Sequence, residues 1–217
     1  TWRPWWIFGC GGLGDIGCHT IDTAYWALGL GAPDRVEVDM AEAVNPLHTP
    51  NGSIVTYKFP SRGKKPAVDV KWIEGPRLPK APEGYDWDIK GHGGFIMVGE
   101  KGGICHDGMR PNSPRLYPKA RWEEYRKNAD KRVPKTLKRV PGIHNDWVNC
   151  IRNSEKSVSD FSYSGPLTES IILGTLAIRT GKALQWDAKN MEIKGNKEAA
   201  ALIEIEARKG WRAQDLV

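Results

Sequence analysis

The feature that most constrains the fold is a run of short strand-like segments with no helix between them. Residues 34–44, 53–59 and 67–73 alternate apolar and polar side chains or are rich in β-branched residues, as strands are. Two further strand candidates, 94–99 and 103–106, flank a tight turn. Parallel strands need a long crossover, usually a helix, so this succession predicts antiparallel pairing.

Helical patterns bracket these strands. Apolar residues recur at helical spacing, with stop signals such as Gly181 near the ends of the segments. The predicted helices are 15–28, a short one near 121–128 within an otherwise loop-like stretch (107–140), 143–153, 166–181 and 196–208. The order predicts the α+β class: an open, mainly antiparallel β-sheet with helices packed on one face.

A glycine-rich run precedes the first helix. Residues 9–14, GCGGLG, have the G-x-G-x-x-G spacing of a dinucleotide-binding loop. Asp15 at the helix start would repel a pyrophosphate, however, and the chain does not alternate strand and helix as a doubly wound sheet does. We therefore interpret residues 1–14 as an aromatic and then glycine-rich loop that leads into the helix.

The most informative pattern is Asp15-x-Gly17-x-His19-x-x-Asp22. Helix positions i and i+4 share a face, so Asp15 and His19 point the same way. A carboxylate beside an imidazole favours its protonated form, and such a base can take a proton from a substrate hydroxyl. From the spacing alone, Asp15 also fits a helix cap and His19 a core histidine, or both form a metal site with Asp22.

Three separated segments then suggest a family. The run GGLGDIGCHTIDTAYWALGLG resembles the start of the C-terminal domain in the glucose-fructose oxidoreductase / inositol dehydrogenase / MocA family. HNDWVNCIRN (144–153) resembles a later helix of that family. GPLTESIILGTLAIRTGKALQWDAKNMEIKGNKEA (165–199) looks like the end of its bacterial branch. The resemblance covers most of the chain and is weakest from about 76 to 140.

The resemblance implies that residues 1–217 form the substrate-binding and catalytic C-terminal domain of an oxidoreductase. It implies an N-terminal domain that binds NAD or NADP and carries the family's catalytic lysine; this chain has no E-K-P motif and no expected cofactor-binding residue. His19 takes the place of the catalytic acid/base and Asp15 that of a substrate-contacting carboxylate, with Asp22 in support. Thr1 starts the chain inside an aromatic stretch, so we expect a piece of a longer protein.

Three other residues are candidate substrate contacts. Trp5 and Trp6 adjoin the glycine-rich run and can stack on a sugar ring, although packing serves them equally well. His144 opens a helix in a region that lies near the family's substrate cleft, although a surface or capping role suits it as well. The expected ligand is a small carbohydrate-like molecule.

The charge and the cysteine content limit which partners and bound metals can be expected. The formal net charge is +6, and nine basic residues fall between Lys119 and Arg139, but three acidic residues interrupt them without a nucleic-acid motif. The four cysteines form no CxxC pair. No apolar run approaches the ~20 residues that span a bilayer. We expect neither nucleic acid nor membrane as a partner and no bound metal, with a bacterial cytoplasmic or periplasmic location left open.

The main prediction is the substrate-binding half of an NAD(P)-dependent oxidoreductase acting on a sugar, polyol or glycoside hydroxyl. The chain alone should be inactive. Helices are expected to cover one face of the sheet, so we expect a homo-oligomer through the face that stays open. A non-enzymatic carbohydrate-binding or oligomerisation module is the alternative, followed by a metal-dependent hydrolase.

Overall fold

The computed structural model describes residues 1–76, 80–87, 93–111, 113–128, 130, 132–203 and 207–212. Along this part of the chain, one helix precedes six strands, and three helices, two strands and a short helix follow. In chain order they are α1 (Gly11–Leu28), β1 (Arg35–Ala41), β2 (Ser53–Phe59), β3 (Val68–Glu74), β4 (Gly94–Gly99), β5 (Gly102–Asp107), β6 (Arg115–Tyr117), α2 (Lys119–Lys127), α3 (Ile143–Asn153), α4 (Phe161–Thr180), β7 (Leu184–Asp187), β8 (Glu192–Lys194) and α5 (Lys197–Ala200).

The α+β class with open antiparallel sheets is confirmed. The described strands divide between a five-stranded sheet in the order β3-β2-β1-β7-β8 and a three-stranded sheet in the order β4-β5-β6. Each neighbouring pair in both sheets runs antiparallel. The strands are thus split between two sheets, where the sequence pattern predicts one.

The chain also divides into two compact units. The five-strand unit comprises Thr1–Asp15, Gly31–Leu78 and Ser170–Val217. The three-strand unit comprises Ile16–Leu30 and Pro79–Glu169. Both α1 and α4 pass from one unit to the other.

One face of the five-stranded sheet forms the core of its unit. Val55, Tyr57 and Phe59 alternate along β2 and are buried, because they face the helices. The α4 backbone lies so close to β2 that a Cβ at Gly174 would collide with the hydroxyl of Tyr57, and Leu13 of α1 lies in the same place. The absence of a side chain at position 174 therefore allows the helix to lie this close to the sheet.

The opposite face of this sheet carries charged side chains that pair with one another. Lys58 Nζ lies 2.6 Å from Asp69 Oδ2, and Lys71 Nζ lies 2.9 Å from Asp39 Oδ2. Thr56 Oγ1 donates to the same Asp39 carboxylate at 2.7 Å. Hydrogen bonds and ion pairs lower the pKa of Asp39 despite the opposing effect of desolvation.

The start of α1 differs from the prediction. Gly11 and Gly12 belong to the first turn of the helix, where we expected a loop, and Asp15 lies a full turn inside. Asp15 is therefore not the residue that caps the helix. The glycines are needed because side chains would not fit: a Cβ at Gly11 would meet Thr49, and one at Gly14 would meet the Cys10 sulfur.

Three other boundaries shift. Helix α4 begins at Phe161, because Asp160 caps it by accepting the Ser162 backbone N–H at 2.9 Å; Pro166 lies inside. Strand β6 lies where we expected loop. Helix α5 ends at Ala200, and residues 204–206 of its predicted range lie outside the described residues.

The three-strand unit contains β4–β6 with α2 and α3. The buried residues of its sheet include Cys105, His106 and Tyr117. On α3 the buried Asp146 accepts the Val158 backbone N–H at 2.9 Å, which attaches the helix to the following loop. No helix in the described ranges combines the length and the apolar character that crossing a membrane requires.

Candidate active site on helix α1

The sequence-predicted pair, Asp15 and His19, lies on the exposed side of α1. Both residues are in regular helix and both side chains are exposed, whereas Gly17 between them is buried. Because they are four positions apart, the two side chains project from one face of the helix, one turn apart. The imidazole of His19 is thus open to solvent and can meet a dissolved ligand.

A residue that the sequence analysis missed orients Asp15. Arg3 Nε lies 2.8 Å from Asp15 Oδ2, and both side chains are substantially exposed. The arginine is held locally, since its carbonyl accepts the Gly11 N–H at 3.1 Å. An exposed ion pair of this kind contributes only ~0.2–1 kcal/mol to stability. The pair places the Asp15 carboxylate beside the Arg3 guanidinium.

Asp22 has a structural partner within the three-strand unit. Its Oδ1 accepts a hydrogen bond from the Tyr163 hydroxyl of α4 at 2.5 Å, and the rings of Tyr163 and Tyr25 meet edge to face at 5.8 Å. Burial, with the Asp22 hydrogen bond, raises the pKa of Tyr163, so this hydroxyl stays protonated. Asp22 thus links α1 to α4, and the supporting role implied for it stays a prediction.

The two tryptophans differ in how freely they could stack on a ligand. Trp5 is 44% exposed and meets His48 edge to face at 5.8 Å. The Trp6 indole N–H donates to the Asn45 carbonyl at 2.9 Å, and the Arg179 guanidinium lies 5.5 Å from the centre of its ring. Trp6 is therefore engaged in packing, whereas Trp5 offers more open surface.

The six predicted residues do not all fall in one unit. Trp5, Trp6 and Asp15 belong to the five-strand unit, and His19 and Asp22 to the three-strand unit. His144 also belongs to the three-strand unit, where it is exposed in the first turn of α3. The contacts described above join Asp15, Asp22, Trp5 and Trp6 to residues outside the predicted set.

A second carboxyl group lies at the first turn of α1. A Cβ at Gly12 would collide with Glu74 Oε2, and Ser53 Oγ donates to Glu74 Oε1 at 2.7 Å. Burial raises the pKa of Glu74, against the lowering effects of Ser53 and Trp72. Glu74 ends β3, 59 positions after Asp15 in the chain. No local spacing in the sequence could have identified it as a neighbour of α1.

The described residues do not support a metal centre. Among them, no three histidine, cysteine, aspartate or glutamate side chains come together in a way that could hold a metal ion. Asp15, His19 and Asp22 were the ligands proposed for such a site. In the part of the chain that the structure describes, these three residues therefore do not form such a group.

The phosphates of a dinucleotide also do not fit the glycine-rich run. Gly11, Gly12 and Gly14 are packed against other groups as parts of α1. The Glu74 carboxyl fills the space beside Gly12 that a side chain would take. A pyrophosphate placed there would meet negative charge, so the glycine spacing does not indicate a cofactor site.

Comparisons with known proteins leave the family of this chain undecided. The sequence matches no protein-family model, and no curated protein is significantly similar to it. The resemblance drawn from the three sequence segments therefore stays a prediction.

Proposed function

We propose that this chain is the substrate-binding half of an NAD(P)-dependent oxidoreductase that acts on a hydroxyl of a sugar, polyol or glycoside. The observation that supports this most is the Asp15–His19 pair, one turn apart on an exposed face of α1. The resemblance of three sequence segments to one oxidoreductase family supports the same assignment. The residues near the glycine-rich run do not fit a dinucleotide, so the proposal assigns NAD(P) to a separate domain.

The roles follow from the chemistry of each group. Oxidation of an alcohol removes a proton from the hydroxyl oxygen and a hydride from the carbon, and the oxidised nicotinamide of the separate domain would accept the hydride. The exposed imidazole of His19 is the base that takes the proton. Asp15, directed by Arg3, accepts a hydrogen bond from a second substrate hydroxyl and so orients the molecule. Trp5 supplies apolar surface for the carbon face of the ring. His144 stays a predicted further contact.

The test uses the longer protein that the proposal implies, in which a dinucleotide-binding domain would accompany this chain. His19→Gln should lower polyol-dependent reduction of NAD(P) by about 10²- to 10⁴-fold, the range for loss of a general base. Asp15→Asn should mainly raise KM. Ala27→Ser, at an exposed position late in the same helix, is the control and should change neither value. Unchanged turnover in His19→Gln would refute the proposal.

The 217-residue chain by itself provides a second test. It should bind NAD and NADP only weakly in calorimetry, because a carboxyl group occupies the helix start beside the glycines. Micromolar binding of either dinucleotide would contradict the assignment of the cofactor to another domain.

A non-enzymatic carbohydrate-binding module is the second candidate. The exposed face of Trp5 favours it, since an indole ring can hold a sugar without any catalysis. The two candidates differ in one measurable way. A module would bind sugars as tightly in the His19→Gln and Asp15→Asn variants as in the unaltered protein, with no turnover in any of them. Association through the charged open face of the five-stranded sheet also stays a prediction.

A further inference from the structure

In the described part of the chain the two sheets end in four edge strands, and three of these are protected against pairing with another chain. Strand β3 carries Asp69 and Lys71, and β8 is three residues long with a charge at each end, Glu192 and Lys194. Strand β6 is also three residues long, and Pro118 follows it directly. Charged side chains, prolines and short length are the means by which natural proteins prevent edge-to-edge pairing.

Strand β4 is the fourth edge, and it has none of these features. Its sequence, GFIMVG, is six residues long, apolar and uncharged, and it contains no proline. Short apolar segments with high β-propensity, no net charge and no proline are the ones that pair most readily with other strands. An edge strand of this kind is therefore expected to accept a partner strand.

The backbone of β4 shows which of its residues face the open side of the sheet. Met97 O accepts the Tyr117 hydroxyl of β6 at 3.3 Å, so the Met97 carbonyl points toward β5 and β6. Successive residues of a strand direct their N–H and C=O groups alternately to its two sides. The backbone groups of Gly94, Ile96 and Val98 therefore point outward. Among the described residues, none forms a backbone hydrogen bond with these outward groups.

Two of the outward residues also present apolar side chains to solvent. Ile96 is 38% exposed and Val98 is 67% exposed. Both side chains lie on one face of the sheet, because alternate residues of a strand share a face. A single added strand would thus pair the outward backbone groups and cover the exposed side chains beside them.

A second copy of β4 fits this edge. In an antiparallel pair with Ile96 opposite Ile96, each Val98 lies opposite Gly94, whose lack of a side chain leaves room for it. On the other face, each Phe95 lies opposite Met97, a favourable sulfur–aromatic combination. This register pairs all the outward residues of both copies, and it brings no like charges together because the strand is uncharged.

We propose that two copies of this chain associate by antiparallel pairing of their β4 strands, so that their three-stranded sheets join into one continuous sheet. A two-fold axis then passes through Ile96. Because the other sheet edges are protected, association stops at the dimer instead of continuing into a filament. A pair of six-residue strands buries less than the ~1,600 Å² of a standard interface, so the dimer is weak and forms with increasing concentration. This inference does not depend on the proposed function.

Sedimentation equilibrium of the 217-residue chain over a wide range of concentrations measures the association. The unaltered chain should have the mass of a monomer when dilute and approach twice that mass when concentrated. Ile96→Lys places two lysines opposite each other at the centre of the pair and should weaken the dimer by about tenfold or more. Ile104→Lys is the matched control, because Ile104 is 39% exposed in the same sheet but lies on the central strand β5, and the dimer should persist.

Cross-linking locates the contact without adding a charge. Ile96→Cys and Ile104→Cys are each made in a Cys18→Ser background, which removes an exposed native thiol. Neighbouring strands lie ~4.8 Å apart, so the thiols at position 96 of two copies are within reach of a short bis-maleimide, whereas those at position 104 are three strand spacings apart. The first variant should give a covalent dimer on denaturing electrophoresis, and the second should stay monomeric.

Several results would overturn the inference. The unaltered chain could stay monomeric at every concentration, which would leave the β4 edge to a different partner, or it could form open-ended aggregates. A dimer that Ile96→Lys leaves intact, or one that Ile104→Lys weakens equally, would contradict pairing at this edge. Circular dichroism checks that both variants are folded. Should Ile96→Lys unfold the chain, Val98→Lys at the more exposed position takes its place, with the same expected loss of the dimer.

Discussion

Replacing Gly174 by alanine tests how closely α4 packs on the five-stranded sheet. Gly174 lies in the middle of α4, and an added Cβ would collide with the Tyr57 hydroxyl and come within 2.7 Å of Leu13 Cδ2. Both neighbours are only 1% exposed, so neither has free space to move into. The substitution therefore sets the intrinsic helical preference of alanine against a steric clash in the core.

The two effects have different sizes. Alanine in a helix interior is more favourable than glycine by about 1 kcal/mol. Overpacking a core costs about 1–3 kcal/mol, and two rigidly held neighbours place this site near the upper end. The net expectation is a loss of about 2 kcal/mol, which for a chain of this size lowers Tm by about 4–8 °C.

Urea unfolding followed by circular dichroism measures the loss, and a second substitution locates its cause. Tyr57→Phe removes the oxygen that the new Cβ would meet, so Gly174→Ala should cost about 1 kcal/mol less in that background. Thr168→Ala, exposed on the same helix, is the control and should stay within about 0.5 kcal/mol. A Gly174→Ala variant that is more stable than the unaltered chain would show that the helix and sheet are farther apart than described.

Three further substitutions test local interactions. Asn196→Ala removes the side chain that caps α5 and should cost about 1 kcal/mol in urea unfolding; an unchanged midpoint would contradict the capping role. Hydrogen bonds from Lys194 and a neighbouring asparagine hold the pKa of Asp187 at about 2, so its stabilising effect is present above the ordinary pKa of 3.8 and is lost as the pH falls through about 2. In Lys194→Ala, carboxyl NMR titration should show the pKa of Asp187 closer to its ordinary value, and an unmoved titration would refute the pairing. Tyr163→Phe leaves Asp22 without its hydroxyl donor and should cost about 1–2 kcal/mol, whereas no loss would mean that the hydrogen bond contributes nothing.

The strands were predictable where one face of the sheet is buried and the other is not. In β2, the prediction of 53–59 agrees with Ser53–Phe59, because Val55, Tyr57 and Phe59 alternate with polar residues. Helix α3 matches its predicted bounds, 143–153, because its apolar residues recur at helical spacing. Periodicity records which face is buried, so it locates elements that have two distinct faces.

Pairing between distant strands was not predictable in this way. Strand β7 pairs with β1 through Val36 and Leu184, which are 148 positions apart in the chain. This contact adds the β7–β8 hairpin to the edge of the β1–β3 meander and makes a five-stranded sheet. Strand β6 was missed because its three residues are too few to show an alternation. The division into two sheets depends on such pairings and not on the local pattern.

The candidate site on α1 also combines a feature that local spacing predicts with one that it does not predict. Asp15 and His19 were predicted together because helical geometry relates positions four apart, and their exposure on α1 agrees with that relation. The glycines before them were wrongly predicted to form a loop. A position can require glycine for two different reasons: its backbone adopts a conformation that other residues disfavour, or a neighbouring group fills the space of a side chain. Gly12 is of the second kind, since the Glu74 carboxyl fills the place of its side chain. The residues around position 12 in the sequence do not identify a neighbour that comes from another strand, so only the folded chain shows why this position has room for no side chain.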